Sequence, residues 1–352
     1  MSLALGVNFP WVTCGHDFGP RPPAWAGAPP TDWAKVAEEL SHLRGLGVTT
    51  ARWWVLGGGV NFPCGIDPAE AAVRGRFGAG FPRTAERWFP RGAPPRLPDA
   101  FLEDFARLLD VCAKSGVALW PSLVSFEAFL PLETQSGGVT SRGRDRLVLH
   151  PGFFDATLEP LLEVCESRRD AIRAFEVVNE PRWALTADWL RAEHGRHPTW
   201  VAPEAMSRFV AEGAERIARR GLVATVGFLD AAAPWLTHEA RGRLRRLADA
   251  GRYVHQHHHY PSVIGAKTLA PAWQSAIRPV WLGELSTSRH GRWYDAGLRE
   301  DDDGAYLARR LALVEARGYD GALLWAFRAT DPHTRWDARV EEQLRAFGGD
   351  AR

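Results

Sequence analysis

The sequence carries almost no net charge and no long apolar run. Its 43 Lys and Arg nearly balance 42 Asp and Glu, which leaves a formal charge of +1. A nearly neutral protein has no field that would attract nucleic acid, an anionic membrane or an acidic polymer, so we expect none of these partners and a neutral substrate. No apolar run reaches the roughly 20 residues of a membrane-spanning helix. The N-terminus lacks the features of a secretory leader, so we expect a cytoplasmic protein, or a secreted one if a leader has been removed.

Cysteine and tyrosine are scarce, whereas tryptophan is abundant. The four cysteines, Cys14, Cys64, Cys112 and Cys165, show no CxxC pair or other metal-ligand spacing. We expect four reduced thiols, with a Cys14–Cys64 bridge as the alternative in a secreted protein. The chain has 16 Trp against 5 Tyr. Part of this Trp surplus suits sugar binding, because an indole face stacks on the C–H face of a pyranose ring.

Short apolar runs alternate with longer amphipathic stretches along the whole chain, which is typical of parallel strands joined by crossover helices. The predicted strands are Gly6–Trp11, Val48–Leu56, Val117–Leu123, Ala174–Asn179, Leu222–Phe228, Tyr253–Tyr260, Val280–Leu285 and Ala322–Phe327. The predicted helices are one that Thr31 or Asp32 caps and that ends at Gly45, then Pro98–Ser115, Phe153–Ser167, Pro203–Arg220, Thr237–Ala250, Thr268–Ser275, Gly304–Arg317 and Val340–Phe347. Eight such units without a linker predict that residues 1–352 form a single α/β domain, a (β/α)8 TIM barrel. A doubly wound sheet would require a glycine-rich phosphate turn after its first strand, and none is present.

The connections after strands are long and those before strands are short. The long ones are Gly57–Leu97, Val124–Gly152, Pro181–Ala202 and Ser286–Asp303. In a barrel these connections gather at the C-terminal face, where the active sites of such enzymes lie. We therefore expect long loops around a cleft at that face, with Gly57–Leu97 as a lid or cleft wall.

Two glutamates stand at the C-terminal ends of predicted strands. Glu180 follows the fourth strand in Asn179-Glu180-Pro181, and Glu284 ends the seventh in Gly283-Glu284. Two carboxylates that face each other across a barrel mouth are what glycoside hydrolysis requires, since one protonates the leaving oxygen and the other attacks or activates water. For a single Glu the ordinary alternative is a surface or capping charge.

With these two motifs in order, the chain resembles the glycoside hydrolases of clan A, and within it family 5. The resemblance runs from Gly6-Val7-Asn8 to Leu324-Trp325-Ala326-Phe327. It implies a retaining β-glycoside hydrolase that uses no cofactor, with Glu180 as acid/base and Glu284 as nucleophile. It further implies that Asn179 binds the sugar 2-hydroxyl and that Arg52 steadies the nucleophile. An internal ion pair of Arg52 with Glu176 is the alternative.

The resemblance also assigns supporting residues around the pair. It implies that Tyr260 donates to Glu284, that His258 lies near the acid/base and that Trp325 packs beneath the reacting sugar; an ordinary core Trp is the alternative for Trp325. Among the loop tryptophans, Trp11, Trp183 and Trp293 are candidates for sugar stacking.

The substrate class implied is a β-linked oligo- or polysaccharide of the β-mannan or β-glucan type. Arg182, after Asn-Glu-Pro, is similar to the β-mannanases of the family. The third strand lacks the His that many cellulase-like members carry, which disfavours a cellulase. A barrel that binds sugar without catalysis is one alternative. A metal-dependent hydrolase that uses the histidines of the sixth strand is another, although the first strand lacks the His-x-His pair of such barrels.

Overall fold

The computed structural model describes residues 3–12, 17–19, 29–57, 86–88, 94, 96–129, 132–134, 140–142, 148–185, 201–229, 231–260, 269–287, 303–330 and 334–349. Eight parallel strands close into a barrel: β1 Ala4–Asn8, β2 Thr50–Trp54, β3 Ala118–Ser125, β4 Phe175–Asn179, β5 Ala224–Phe228, β6 His255–His259, β7 Val280–Ser286 and β8 Gly321–Trp325. The last strand pairs with the first, with Leu5 opposite Ala322. All eight predicted strands are present with small changes at their ends, and the predicted (β/α)8 barrel is confirmed.

Helices surround the barrel: α1 Trp33–Gly45, α2 Asp99–Ser115, α3 Leu158–Glu166, α4 Pro203–Arg219, α5 His238–Asp249, α6 Asp303–Ala316 and α7 Ala338–Gly349. The Asp32 side chain accepts from the backbone N–H groups of Ala34 and Lys35, as the predicted N-cap requires. Gly116 ends α2 in the left-handed conformation, with φ of 67°.

The structure differs from the sequence prediction after β3. The predicted helix Phe153–Ser167 is divided into a single turn, Phe153–Ala156, and α3. Pro160 has no N–H to donate to the carbonyl of Ala156, four residues earlier. The backbone N–H of Leu97 donates to that carbonyl instead, at 3.2 Å.

The predicted helix Thr268–Ser275 is wrong over the part of it that the structure describes. Only a 3-10 turn, Ala272–Gln274, forms there. Pro271 is extended and disfavours helical backbone in the residue before it. At the other end the Ser275 hydroxyl bonds with the backbone of Ile277, which ends the turn.

Short strands occupy parts of two connections that the sequence analysis treats as loops. Glu86–Trp88, Thr140–Arg142 and Leu132–Thr134 form a three-stranded sheet. Most of Gly57–Leu97 lies outside the described residues, so its interpretation as a lid stays a prediction. That residues 1–352 form one domain stays a prediction as well.

The barrel interior is apolar toward the N-terminal ends of its strands. Trp120 and Trp281 are buried there with ring centroids 5.2 Å apart, and they pack with Ala174 and Leu323. Gly321 leaves space for this packing, because a Cβ on it would lie 2.6 Å from the Trp281 ring. The larger apolar core lies between the strands and the helices. The interior is therefore filled below the level at which polar side chains begin.

Two further expectations concern cysteine and membranes. Cys112 and Cys165 are free and buried, and burial raises the pKa of both thiols. Cys14 and Cys64 lie outside the described residues, so the alternative of a bridge between them stays a prediction.

In the described part of the chain, no helix is both long and apolar enough to cross a bilayer.

Candidate active site

Glu180 and Glu284 meet above the apolar layer, at the C-terminal ends of β4 and β7. One carboxylate oxygen of each, together with a ring nitrogen of His258, lies within 4.8 Å of the others. Glu284 is 5% exposed, and Glu180 is half-buried. The structure thus brings together, at the C-terminal end of the barrel, two carboxylates that are far apart in the chain.

Glu284 is held by two donors. The Arg52 guanidinium donates from Nη1 to Oε1 at 2.8 Å, and the Tyr260 hydroxyl donates to Oε2 at 2.6 Å. Burial raises the pKa of Glu284, and Glu180 adds to this, whereas His258, Arg52 and the Tyr260 hydrogen bond act in the opposite direction. Burial and the charge of Glu284 raise the pKa of Tyr260, so its hydroxyl stays a donor.

Glu180 is held in a strained backbone conformation by a different set of partners. Its φ of 46° and ψ of 49° lie in the left-handed region, which costs energy for a residue with a side chain. Its backbone N–H donates to the carbonyl of Gly227 at 2.7 Å. The Trp183 indole donates to Oε2 at 2.9 Å, and His258 Nδ1 lies 2.7 Å from Oε1. Both carboxylate oxygens are therefore oriented by neighbours.

Arg52 is fully buried at the centre of the polar layer. Its Nε and Nη2 donate to the two oxygens of Glu176 at 2.8 and 2.7 Å, and its Nη1 reaches Glu284. Asn8 and Asn179 accept from it through their side-chain oxygens at 2.7 and 2.6 Å. Burial acts to lower the pKa of Arg52, but the two carboxylates together raise it. Both interpretations of Arg52 thus hold, as a neighbour of the nucleophile candidate and as a partner of Glu176.

Irregular pairing in two strands aims the polar side chains inward. The register of β7 shifts around Gly283 against both neighbouring strands, and Asn8 donates to the Gly283 carbonyl at 3.0 Å. The β4–β5 register shifts between Glu176 and Asn179. Strict alternation would put residues three apart on opposite faces. The shift agrees with the finding that Glu176 and Asn179 both contact Arg52.

Two groups of aromatic rings lie near the C-terminal ends of the strands. Trp325, at the end of β8, lies 5.6 Å from Trp54 between ring centroids, and Trp54 lies 4.9 Å from Trp11. Trp183 lies 6.3 Å from Phe126, and its indole donates to Glu180. Aromatic rings of this kind can stack on the apolar face of a sugar. The predicted Trp293 lies outside the described residues.

Arg182 lies in the 3-10 turn Pro181–Ala184 that follows Glu180. It is half-buried, and it is separated from Glu180 only by Pro181. Its role in selecting a sugar stays a prediction.

The other histidines of β6 do not join the site. His257 Nε2 lies 3.0 Å from the hydroxyl of Tyr319, and burial lowers the pKa of His257 to about 3, so its ring is neutral. His255 Nε2 lies 3.1 Å from the carbonyl of Ala231, and His259 Nδ1 lies 3.3 Å from Arg310. These three point away from the two glutamates, because alternate residues of a strand face opposite sides.

One trio could in principle hold a metal ion. Among the described residues, only Glu180, His258 and Glu284 bring three possible ligand atoms close enough together. Arg52 already places a positive charge 2.8 Å from Glu284, which disfavours a second cation there. The metal hydrolase that the sequence analysis kept as an alternative uses the histidines of the sixth strand, and of these only His258 belongs to the trio.

The sequence analysis did not single out four of the residues that complete the site. They are Asn8, Ser122, Gln256 and Trp54; Glu176 entered it only as an ion-pair partner of Arg52. Ser122 donates to Glu176 Oε1 at 2.7 Å, and Gln256 donates to Glu176 Oε2. A signal was present, since Ser122 interrupts an apolar strand and Gln256 lies two residues before His258, on the same strand face.

Comparisons with known proteins reveal relatives only among solved structures. No family model matches the sequence, and no curated protein matches it. The β-mannanase of the blue mussel Mytilus edulis aligns with 98% of this chain and 92% of its own, at 14% identity and a TM-score of 0.63. The endo-1,4-β-mannanase of Eisenia fetida aligns with 99% of this chain and 91% of its own, at 17% identity and a TM-score of 0.64. The β-1,4-mannanase of the sea hare Aplysia kurodai aligns with 98% of this chain and 92% of its own, at 16% identity and a TM-score of 0.62. The chain therefore has the barrel fold of these solved β-mannanases, and its resemblance to clan A is confirmed at the level of the fold.

Proposed function

We propose that the protein is a retaining β-glycoside hydrolase that acts on a β-linked oligo- or polysaccharide by double displacement. The observation that carries the proposal is the proximity of Glu180 and Glu284 at the barrel mouth. Retaining enzymes hold their carboxyl groups about 5–5.5 Å apart, whereas inverting enzymes leave about 6.5–9.5 Å for a water molecule. One oxygen of each carboxylate lies within 4.8 Å of the other, which supports the shorter separation.

The two glutamates differ in their surroundings, and this difference supports their separate roles. Glu284 takes the nucleophile role, because Arg52 and Tyr260 donate to both of its oxygens and stabilise its charged form. Its attack on the anomeric carbon forms a glycosyl-enzyme while Glu180 protonates the leaving oxygen. Glu180 then removes a proton from the incoming water, which releases the sugar with its configuration retained.

Asn179 and Trp325 are proposed to hold the reacting sugar. The Asn179 amide Nδ2 lies 3.3 Å from the Ser125 hydroxyl, while its oxygen is fixed by Arg52, so its amide group is oriented before substrate arrives. Such a contact to the sugar 2-hydroxyl strengthens as positive charge develops in the transition state. Trp325 would supply the apolar surface beneath the ring. His258 lies near both glutamates, at 2.7 Å from Glu180 and 3.5 Å from Glu284, and would orient the acid/base.

We propose β-mannan as the first substrate class and β-glucan as the second. Three solved structures with the same fold are a β-mannanase, an endo-1,4-β-mannanase and a β-1,4-mannanase, and Arg182 agrees with the same class. The test is a panel of aryl β-mannosides, aryl β-glucosides, manno-oligosaccharides and gluco-oligosaccharides, with NMR of the first product formed. We expect turnover of a mannoside with the β-anomer appearing first; release of the α-anomer would exclude the retaining mechanism.

Two variants test the roles of the glutamates. Glu284→Ala should lose turnover by at least about 10³-fold, because no covalent intermediate can form. Glu180→Ala should lose most activity on natural sugars, but azide should rescue it on an activated aryl glycoside and give a β-glycosyl azide. A protein that binds oligosaccharides and turns none of them over would instead be the sugar-binding barrel.

A further inference from the structure

A third carboxylate, Glu176, lies buried beneath the two glutamates of the proposed mechanism. It is 0% exposed, on β4, and it faces the same guanidinium as Glu284. Its Oε1 accepts from Arg52 Nη2 and from the Ser122 hydroxyl, and its Oε2 accepts from Arg52 Nε and Gln256 Nε2. Four donors converge on two oxygens. This arrangement fits an ionised carboxylate, since a protonated one would turn an acceptor position into a donor.

Arg52 is therefore divided between two carboxylates. Two of its three nitrogens face Glu176, and Nη1 alone reaches Glu284. A guanidinium paired with one carboxylate stabilises the negative charge fully, whereas a guanidinium already neutralised on its far side attracts a second carboxylate less. Glu176 thus weakens the hold of Arg52 on Glu284 without breaking their hydrogen bond.

The sharing of Arg52 between Glu176 and Glu284 affects how reactive Glu284 is as a nucleophile. A carboxylate held by an undivided positive charge is less basic and so a poorer nucleophile, and it would attack the anomeric carbon slowly. We propose that Glu176 is a positioning residue that takes up part of the charge of Arg52 and so keeps Glu284 basic enough to attack; this rests on the proposed function.

The substitution Glu176→Gln tests the proposal, with Glu176→Asp as its matched control. The Gln variant removes the charge but leaves Arg52 paired with Glu284, so no buried charge loses its only partner. The acid limb of kcat/KM against pH, which reports ionisation of the nucleophile, should move to lower pH by roughly one unit, as expected for a carboxylate that gains the field of a nearby cation. Formation of the glycosyl-enzyme should slow about tenfold, with its hydrolysis changed less.

The Asp variant keeps the charge and shortens the side chain. Its activity should fall as well, but its acid limb should stay at the wild-type pH. A merely structural role for Glu176 predicts the reverse for the Gln variant, because a displaced Arg52 would support Glu284 less and move the acid limb to higher pH. A folded Gln variant whose acid limb stays in place or rises overturns the proposal.

The two proposals can fail separately. A wild-type protein that turns over no glycoside overturns the proposed function and this inference with it. An active wild type with an unmoved acid limb in Glu176→Gln overturns this inference alone.

If circular dichroism shows that Glu176→Gln does not fold, the variant Ser122→Ala provides the test instead. Loss of that small hydroxyl leaves Glu176 free to hold Arg52 more tightly, so the acid limb should rise by a few tenths of a unit; a fall overturns the proposal.

Discussion

The hydroxyl of Tyr260 offers the sharpest test of how Glu284 is tuned. Tyr260→Phe removes one donor at 2.6 Å from Glu284 Oε2 and leaves the ring and the Arg52 contact in place. A hydrogen bond to a charged group contributes about 1.5–3 kcal/mol. Since about 1.4 kcal/mol corresponds to one pKa unit, loss of this donor should raise the pKa of Glu284 by about one to two units.

The sign of the effect on activity follows from the proposed role of Glu284 as nucleophile. Attack requires the ionised form, so a higher pKa of Glu284 moves the acid limb of kcat/KM to higher pH. The assay is kcat/KM for an aryl β-glycoside at half-unit intervals from pH 4 to pH 9. At pH values below the acid limbs of both proteins, the variant should lose at least about tenfold more activity than at its optimum.

Tyr319→Phe is the matched control. Its hydroxyl is buried and hydrogen-bonded, to the carbonyl of Ala270 at 2.8 Å, but its partners lie outside the site. This variant should lose stability while its pH profile stays at that of the wild type. If Tyr260→Phe leaves the acid limb unmoved, or if Tyr319→Phe moves it equally, the reasoning about Glu284 is refuted.

Three further predictions test other contacts. Trp183→Phe replaces the indole with a smaller aromatic ring and removes the donor to Glu180 Oε2. The kcat should fall about tenfold on an unactivated oligosaccharide and much less on an aryl glycoside with a good leaving group, because such a leaving group needs little protonation. Equal losses on both substrates would contradict this. Burial raises the pKa of Glu284 above its ordinary value of 4.5, so the folded protein binds the Glu284 proton more tightly than the unfolded chain does. The folded protein therefore loses stability as the pH rises from about 4.5 through the raised pKa. Glu284→Gln should therefore raise Tm at pH 7 and lose this advantage below about pH 4; a Tm gain that is independent of pH would argue against it. Because Arg52 occupies the cation position beside Glu284, EDTA should leave the kcat of the wild type unchanged, and an activity that EDTA abolishes and zinc restores would revive the metal mechanism.

Much of the barrel could be predicted from the sequence because its signals are local. Apolar runs give the strands, and Asp32 and Gly116 mark helix ends through contacts with their immediate neighbours. The failures also have local causes. Pro160 divides one predicted helix, and Pro271 with Ser275 leaves room for a single turn in another.

The site could be predicted only in part. Glu180 and Glu284 were recognisable because each follows an apolar strand within a short motif, and the structure places them on one gap. The Arg52–Glu176 ion pair below them is also among the sequence predictions. The contact of Arg52 with Asn8, 44 positions away, and that of Glu176 with Gln256, 80 positions away, are not. Contacts over such separations depend on how the barrel closes and on where a strand pairing shifts, and neither leaves a mark in the local pattern.

The irregularity at Gly283 separates catalysis from folding. A Cβ on this residue would lie 2.4 Å from Gln256 Oε1 and 3.0 Å from His258 Nε2, so any larger residue must displace these two side chains. The apolar layer of Trp120 and Trp281 lies nearer the N-terminal ends of the strands, where Trp281 packs against Gly321. A variant in which β7 pairs regularly at this position could therefore fold as a barrel while the Glu284 carboxylate no longer faces Glu180. Mutational tolerance measured by solubility alone would overlook the position that an activity screen would find least replaceable.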